Sequence, residues 1–253
     1  MTRPVTLITG ASAGLGAEFA RQCAARGGPL ALAARRRDRM EALAAELGAD
    51  VHIFEADLSK AGAAAALIAE LEAEGLSVGT LINNAGFGQS GPFADRPLAR
   101  LGAMIDLNVR TLTELCHLVL PAMRARGKGG ILNVASTAAF QPGPNMAVYY
   151  ATKAYVLSFT QALHHELRHS GIHVAALCPG PTHSEFSDVA DSHSPTLERM
   201  KMQAGPVVAL GLKGLDANKA VIVPGFRNKL GAQASRLLPR ATMRWIVGRM
   251  ERA

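Results

Sequence analysis

Val5-Thr6-Leu7-Ile8-Thr9-Gly10-Ala11-Ser12-Ala13-Gly14-Leu15-Gly16 is the stretch whose reading decides the fold. An apolar run at 5–8 feeds a turn with three glycines, and residues 17–26 continue with a helical, alanine-rich period. Glycine accepts positive φ and lets a backbone come close to a ligand. A helix that opens at such a turn offers free N–H groups and a partial positive charge, a setting made for phosphate. Gly10, Ser12, Ala13, Gly14, Leu15 and Gly16 are therefore candidate contacts of a phosphate-bearing ligand. A tight turn that binds nothing is the competing reading.

Outward from this turn, short apolar runs recur at 30–34, 51–54, 80–83, 131–136, 173–178 and 220–223. Alanine-rich helical stretches at 39–47 and 61–74 lie between the early ones. Strands alternating with helices predict βαβ units and a parallel sheet. The strands are continuously apolar, as expected where helices cover both faces. The expectation is an α/β fold: a doubly wound, Rossmann-type parallel sheet in three α/β/α layers, one domain over 1–253. Its ligand belongs at the carboxyl ends of the strands. Two segments break the rhythm. One, at about 184–205, is polar with Phe186, Val189, Leu197, Met200 and Met202 spaced through it. The other, at about 227–253, is a basic amphipathic tail.

The 253 residues are 49% hydrophobic, enough for a large core in one domain, and carry a net charge of +7. The basic residues are scattered rather than set in a stripe with aromatics, which argues against nucleic acid as partner. Cys23, Cys116 and Cys178 lie apart in apolar surroundings, without metal-ligand spacing. They read as buried free thiols, and no metal is expected. No signal peptide and no bilayer-length apolar run is seen, so a cytoplasmic location is the default expectation.

After the second apolar run a dinucleotide fold often places an acid for the adenosine ribose. This chain has Ala34-Arg35-Arg36-Arg37 instead, with Asp38 arriving late. Arg35 is placed to pair with a 2′-phosphate, which favours NADP(H), with NAD(H) as the second coenzyme. A solvated charge run at a helix start is the alternative. Asp57-Leu58 follows the third run and Asn83-Asn84-Ala85-Gly86 the fourth, so both fall along the crevice. Asp57 suits either an adenine amino group or the cap of a helix near Ser59.

Ser136 ends the run at 131–136. Tyr149 and Lys153 stand four apart in 148–169, a stretch of helical period, and so share one face. A free tyrosine titrates near 10. A neighbouring ammonium favours its phenolate and brings it within range of acid/base work. A lysine there also suits ribose hydroxyls, and a serine hydroxyl suits a developing oxyanion. Tyr150 has Ala154 at its i+4 position, so the lysine register selects Tyr149.

With TGASAGLG at 9–16, Asp57-Leu58, NNAG at 83–86, Asn108, Ser136, YYATK at 149–153 and PGPTHS at 179–184, residues 4–225 resemble the short-chain dehydrogenase/reductase family. The match is to its single-domain branch of about 250 residues. Serine and tyrosine stand 13 apart, the family's usual interval. The resemblance implies an NAD(P)-dependent oxidoreductase acting on a ketone, aldehyde or secondary alcohol. Tyr149 is then the acid/base, Ser136 the carbonyl-orienting hydroxyl, and Asn108 the holder of a water that relays protons through Lys153. Asn84, Ala85 and Gly86 flank the adenosine ribose; Pro179, Gly180, Thr182 and Ser184 seat the nicotinamide carboxamide. Ser184 stands where many members have threonine. The resemblance also implies a homodimer or homotetramer and a substrate lid at 184–205. The lid's apolar residues, with Phe87, Phe140 and Met146, suggest an apolar substrate, and the whole resembles reductases of acyl or steroid-like ketones. A non-catalytic scaffold of the same fold is the alternative. Nucleotide-sugar epimerases carry a longer C-terminal region than this chain has. The tail is expected against a partner subunit first, over the active site or on an anionic membrane otherwise.

Overall fold

Seven apolar runs become seven parallel strands: β1 Arg3–Thr9, β2 Leu30–Ala34, β3 Val51–Glu55, β4 Leu76–Asn83, β5 Gly129–Val134, β6 Ile172–Leu177 and β7 Val221–Ile222. They are described here in a computed structural model, which covers residues 2–192 and 194–250. His193 in the segment 184–205 and residues 251–253 of the tail lie outside the described residues. The helices between the strands are α1 Gly14–Ala25, α2 Arg37–Leu47, α3 Ala63–Ala73, α4 Leu98–Ile105, α5 Leu112–Arg126, α6 Ala147–Glu166, α7 Phe186–Ala190, α8 Pro195–Glu198 and α9 Ala204–Asp216. After β7 come α10 Phe226–Leu237 and α11 Arg240–Met250.

The strand order is β3-β2-β1-β4-β5-β6-β7. The chain winds outward from β1 in one direction, then returns to β4 and winds the other way. That reversal opens a crevice at the carboxyl ends of β1 and β4, where ligands of open α/β sheets bind. Successive residues along a strand point to opposite faces, and the core divides accordingly. Leu7, Leu81, Ile131 and Val174 pack with Leu67, Leu115 and Val156 of α3, α5 and α6. Their neighbours Ile8, Ile82, Leu132 and Ala175 pack with Phe19, Met40 and Leu212 of α1, α2 and α9. These are the three expected layers.

Element boundaries differ from the sequence reading where polar residues interrupt a run. β4 begins at Leu76 rather than at 80, because Ser77 and Gly79 hide a strand whose backbone pairs Arg3 with Leu76. α1 begins at Gly14, inside the glycine turn. β5 stops at Val134, two residues short of Ser136.

A third apolar cluster sits above the sheet, outside both layers. It joins Leu101 and Met104 of α4, Met146, Tyr149 and Tyr150 around α6, Ala190 of α7, and Met243 and Val247 of α11. The tail therefore folds over its own chain, the second of the three expected placements. Its outer surface leaves Phe226, Leu230, Leu237 and Trp245 exposed. The two ends of the lid segment meet at Pro181, His183 and Met202. The His183 N–H donates to the Met202 carbonyl at 2.9 Å, and the Met202 N–H to that of Pro181 at 2.9 Å.

Candidate active site

The glycine turn has the geometry of a phosphate cradle. Gly10 and Gly14 hold φ of +66° and +54°, a region that side-chain-bearing residues rarely adopt. A Cβ at Gly16 would overlap the Gly10 carbonyl oxygen, so α1 can start this close to β1 only with glycine there. Asn84 stitches the turn to the end of β4. Its Nδ2 donates to the Thr9 carbonyl at 3.0 Å, while Thr9 Oγ1 accepts the N–H groups of Asn84 and Ala85 at 3.1 and 3.0 Å.

Arg35 is exposed at the end of β2 and, among the described residues, makes no ion pair. Arg36, which the sequence reading passed over, turns inward. Its Nε and Nη2 donate to Ser12 Oγ at 3.3 and 3.2 Å, and Nη2 pairs with Glu185 at 2.8 Å. Arg39 pairs with the same carboxylate. Hydrogen bonds from Arg36 and Arg39 hold Glu185 below the usual carboxylate range. Asp57 Oδ1 accepts from the Ser59 N–H at 3.1 Å and from Ser59 Oγ at 2.7 Å, and those bonds lower its pKa. No helix begins near Ser59, since α3 starts at Ala63 with Gly62 before it, so these bonds close a local turn rather than cap a helix, and Asp57 also lines the cavity. Leu58 is buried, and its carbonyl accepts from Thr111 Oγ1 at 2.7 Å.

Beyond the end of β5, Ser136 caps the 3₁₀ turn Thr137–Phe140 through an Ala138 N–H bond to its Oγ at 3.1 Å. Tyr149 and Lys153 sit one turn apart on α6, as the register requires. Lys153 Nζ donates to the Val134 carbonyl at 2.8 Å and lies 5.9 Å from the Tyr149 ring centre. Burial pulls the lysine from 10.5 down to about 8. The Phe186 ring lies 5.1 Å from that of Tyr149 on another side, and Tyr150 meets Tyr149 edge-on at 6.1 Å. Tyr150 also lines the cavity, as a wall residue should.

Asn108 occupies a π-helical turn, Asp106–Thr111, between α4 and α5. Such turns often mark functional sites. Its Oδ1 accepts the Phe87 N–H at 3.1 Å, and its Nδ2 donates to the Phe87 carbonyl at 3.0 Å and to Thr152 Oγ1 at 3.1 Å. Thr152 in turn donates to the Tyr149 carbonyl at 2.7 Å. The amide thus ties the loop after β4 to the helix of Tyr149. A Cβ on Gly86 would stand 2.9 Å from Asn108 Oδ1 and 3.4 Å from Lys153 Nζ, so that glycine leaves room beside both.

One cavity of about 810 Å³ runs from Arg35 and Ser12 past Asp57 to Ser136, Tyr149 and Lys153, while Gly16 and Asn108 are not among the residues that line it. Pro179, Gly180, Thr182 and Ser184 border it too. Gly180 admits the Asn228 amide of α10 where a Cβ would stand, and Ser184 packs on Gly14. Asn228, Glu185 and the α11 residues Met243, Ile246 and Val247 also line the cavity; sequence reasoning placed them in the lid and tail segments without naming any as a site residue. Nothing local marks them, because each reaches the site from an element distant in the chain. Among the described residues no His, Cys, Asp or Glu cluster has metal-binding form, and no helix is long and apolar enough to cross a membrane.

Residues 4–194 match the family model for short chain dehydrogenases. The chain is 30% identical over 250 residues to very-long-chain 3-oxoacyl-CoA reductase of Anas platyrhynchos, spanning 95% of this chain and 73% of that one. It is 38% identical to sulfoacetaldehyde reductase 2 of Chromohalobacter salexigens over 72% of its length and 74% of the relative's. Among solved structures, a short-chain dehydrogenase from Sphingobium yanoikuyae in complex with NADPH superposes with a TM-score of 0.83 at 36% identity, covering 95% of each chain. The chain belongs to the short-chain dehydrogenase family, as an oxidoreductase acting on C=O and CH–OH groups.

Proposed function

We propose that this chain is an NADP(H)-preferring reductase or dehydrogenase of ketones, aldehydes or secondary alcohols with apolar substituents, and that Tyr149 is its acid/base. The observation that carries the reading is convergence: Ser136, Tyr149 and Lys153 border the same cavity as the glycine cradle and Arg35, while Asn108 braces its wall. When bound, the nicotinamide supplies or accepts the hydride; the protein supplies orientation and proton transfer. The cradle fits a pyrophosphate by its positive-φ glycines and its helix N-terminus. Arg35 and Arg36 suit a 2′-phosphate, which pairs well with guanidinium.

In this reading Ser136 Oγ donates to the substrate oxygen and Tyr149 gives it a proton as the alcohol forms. Lys153, charged, favours the phenolate that remains and hands protons back. Asn108 positions Tyr149 through Thr152, and its place beside Gly86 and Lys153 suits the water relay. The relatives' names span a long acyl thioester and a small sulfonated aldehyde. The wall of Met146, Phe186, Met243, Ile246 and Val247 favours the apolar end of that range here. Residues 184–205 act as the lid. A homodimer or homotetramer in a reducing cytoplasm belongs to the same reading; the exposed Leu98, Ile105 and Tyr155 support association, and mass in solution tests it.

Replacing Tyr149 by Phe removes the proton donor and little else. Turnover is expected to fall at least a hundredfold, with NADPH binding within a few-fold of the parent. A screen of apolar ketones with NADPH and NADH in parallel measures both; near-parental turnover in the variant rejects the assignment. A non-catalytic scaffold predicts no coenzyme consumption with any member of such a screen.

A further inference from the structure

The end of β2 carries arginines where a dinucleotide site often carries an acid. Asp38, the nearest acid in sequence, is exposed in the first turn of α2 and does not border the cavity. An acid reaches this place from the other end of the chain instead. Glu185, at the start of the lid, pairs with Arg36 at 2.8 Å and with Arg39. Arg36 in turn donates to Ser12 in the glycine turn, and Ser184 packs on Gly14. The lid's first residues therefore lie directly over the cradle, with one carboxylate fixed among the arginines.

We propose that Glu185 is a coenzyme-selectivity residue: its carboxylate stands in for the missing acid at the end of β2, accepts from a ribose 2′-hydroxyl and opposes a 2′-phosphate. This rests on the coenzyme reading above. A 2′-phosphate meets Arg35, which makes no ion pair among the described residues, but finds Arg36 already paired with Glu185, a like charge beside it. A free 2′-hydroxyl meets an acceptor instead. Glu185 thus narrows the gap between NADPH and NADH that the arginines alone would open, and it does so only while the lid lies over the cradle. Its pairing with two guanidiniums keeps it ionised through the neutral range.

The test is equilibrium binding of NADPH and of NADH to the full-length protein, wild type and E185Q, by calorimetry or coenzyme fluorescence. In E185Q the ratio Kd(NADH)/Kd(NADPH) is expected to rise about five- to tenfold at low salt, and the gain to shrink in 0.5 M salt, about as expected for one partly solvated charge. A loosened lid would weaken both coenzymes alike and leave the ratio unchanged. An unchanged or lower ratio therefore overturns the proposal. R35S separates this from failure of the coenzyme reading. Wild type that favours NADPH through Arg35, with a flat response in E185Q, overturns the selectivity role alone. Equal binding of both coenzymes in wild type, with the ratio moved by neither R35S nor E185Q, overturns the two together.

Discussion

In the proposed reading Lys153 serves Tyr149 as an ammonium, yet it lies in a pocket that favours the neutral amine. Its fall from 10.5 to about 8 corresponds to about 3 kcal/mol against the charged form. Replacing Lys153 by Met removes this cost and loses one hydrogen bond to the Val134 carbonyl, itself worth about 1 kcal/mol. The ligand-free variant is expected to be about 1–2 kcal/mol more stable at pH 7 and inactive, as denaturant unfolding and a turnover assay would show. The pH dependence follows from the depressed pKa. Below about 8 the lysine is charged in both folded and unfolded chains and the whole penalty is present. Between about 8 and 10.5 the folded chain binds fewer protons than the unfolded one, so wild-type stability rises with pH. The advantage of the Met variant should therefore fade across that window; an advantage that persists at pH 10.5 contradicts the account. The Tyr149–Lys153 pair was legible because i and i+4 on a helix meet whatever the helix packs on. The bond from Lys153 to Val134 was not, since it depends on where β5 ends.

At the scale of elements, α11 forms part of the apolar wall of the cavity that Tyr149 borders. Met243 and Val247 are buried against the cluster of Tyr149 and Met146, and Ser194 Oγ donates to the Met250 carbonyl at 2.7 Å, joining lid to tail. Burying one such side chain contributes about 1.5–3 kcal/mol. Removing residues 240–253 should raise KM for an apolar ketone at least tenfold and leave NADPH affinity within about twofold, because the cradle and Arg35 lie elsewhere. Equal losses in both would show that α11 supports the whole fold rather than the substrate wall. The amphipathic period of this helix is plain in the sequence. Periodicity says which face is apolar, but not which surface that face will meet.

Across the whole molecule, the three thiols report on the integrity of both core layers. Cys116 and Cys178 lie in one layer and Cys23 in the other. Burial raises Cys23 to about 11 and the other two to about 12, so almost none is thiolate at neutral pH. A soluble thiol reagent at pH 8 should label no cysteine of the native protein and all three after denaturation. A labelling rate that follows denaturant-induced unfolding is expected; rapid stoichiometric labelling in native buffer would mean that a core layer opens locally.

The sequence by itself determined the strand–turn–helix at 9–16, the alternation that builds a doubly wound sheet, and the placing of Tyr149 rather than Tyr150 one helical turn from Lys153. Those readings rest on local period and on the steric needs of glycine, which act over a few residues whatever lies further off. The tertiary structure alone decided that Arg36 turns inward beside Arg35, that Asn108 braces Phe87, and that the tail lines the cavity beside Tyr149. It also brought Glu185 to Arg39 across 146 residues of chain. These depend on how the crossovers stack elements at the carboxyl edge of the sheet. Side chains from distant segments converge there because the strand order reverses at β1 and β4 and leaves an open crevice.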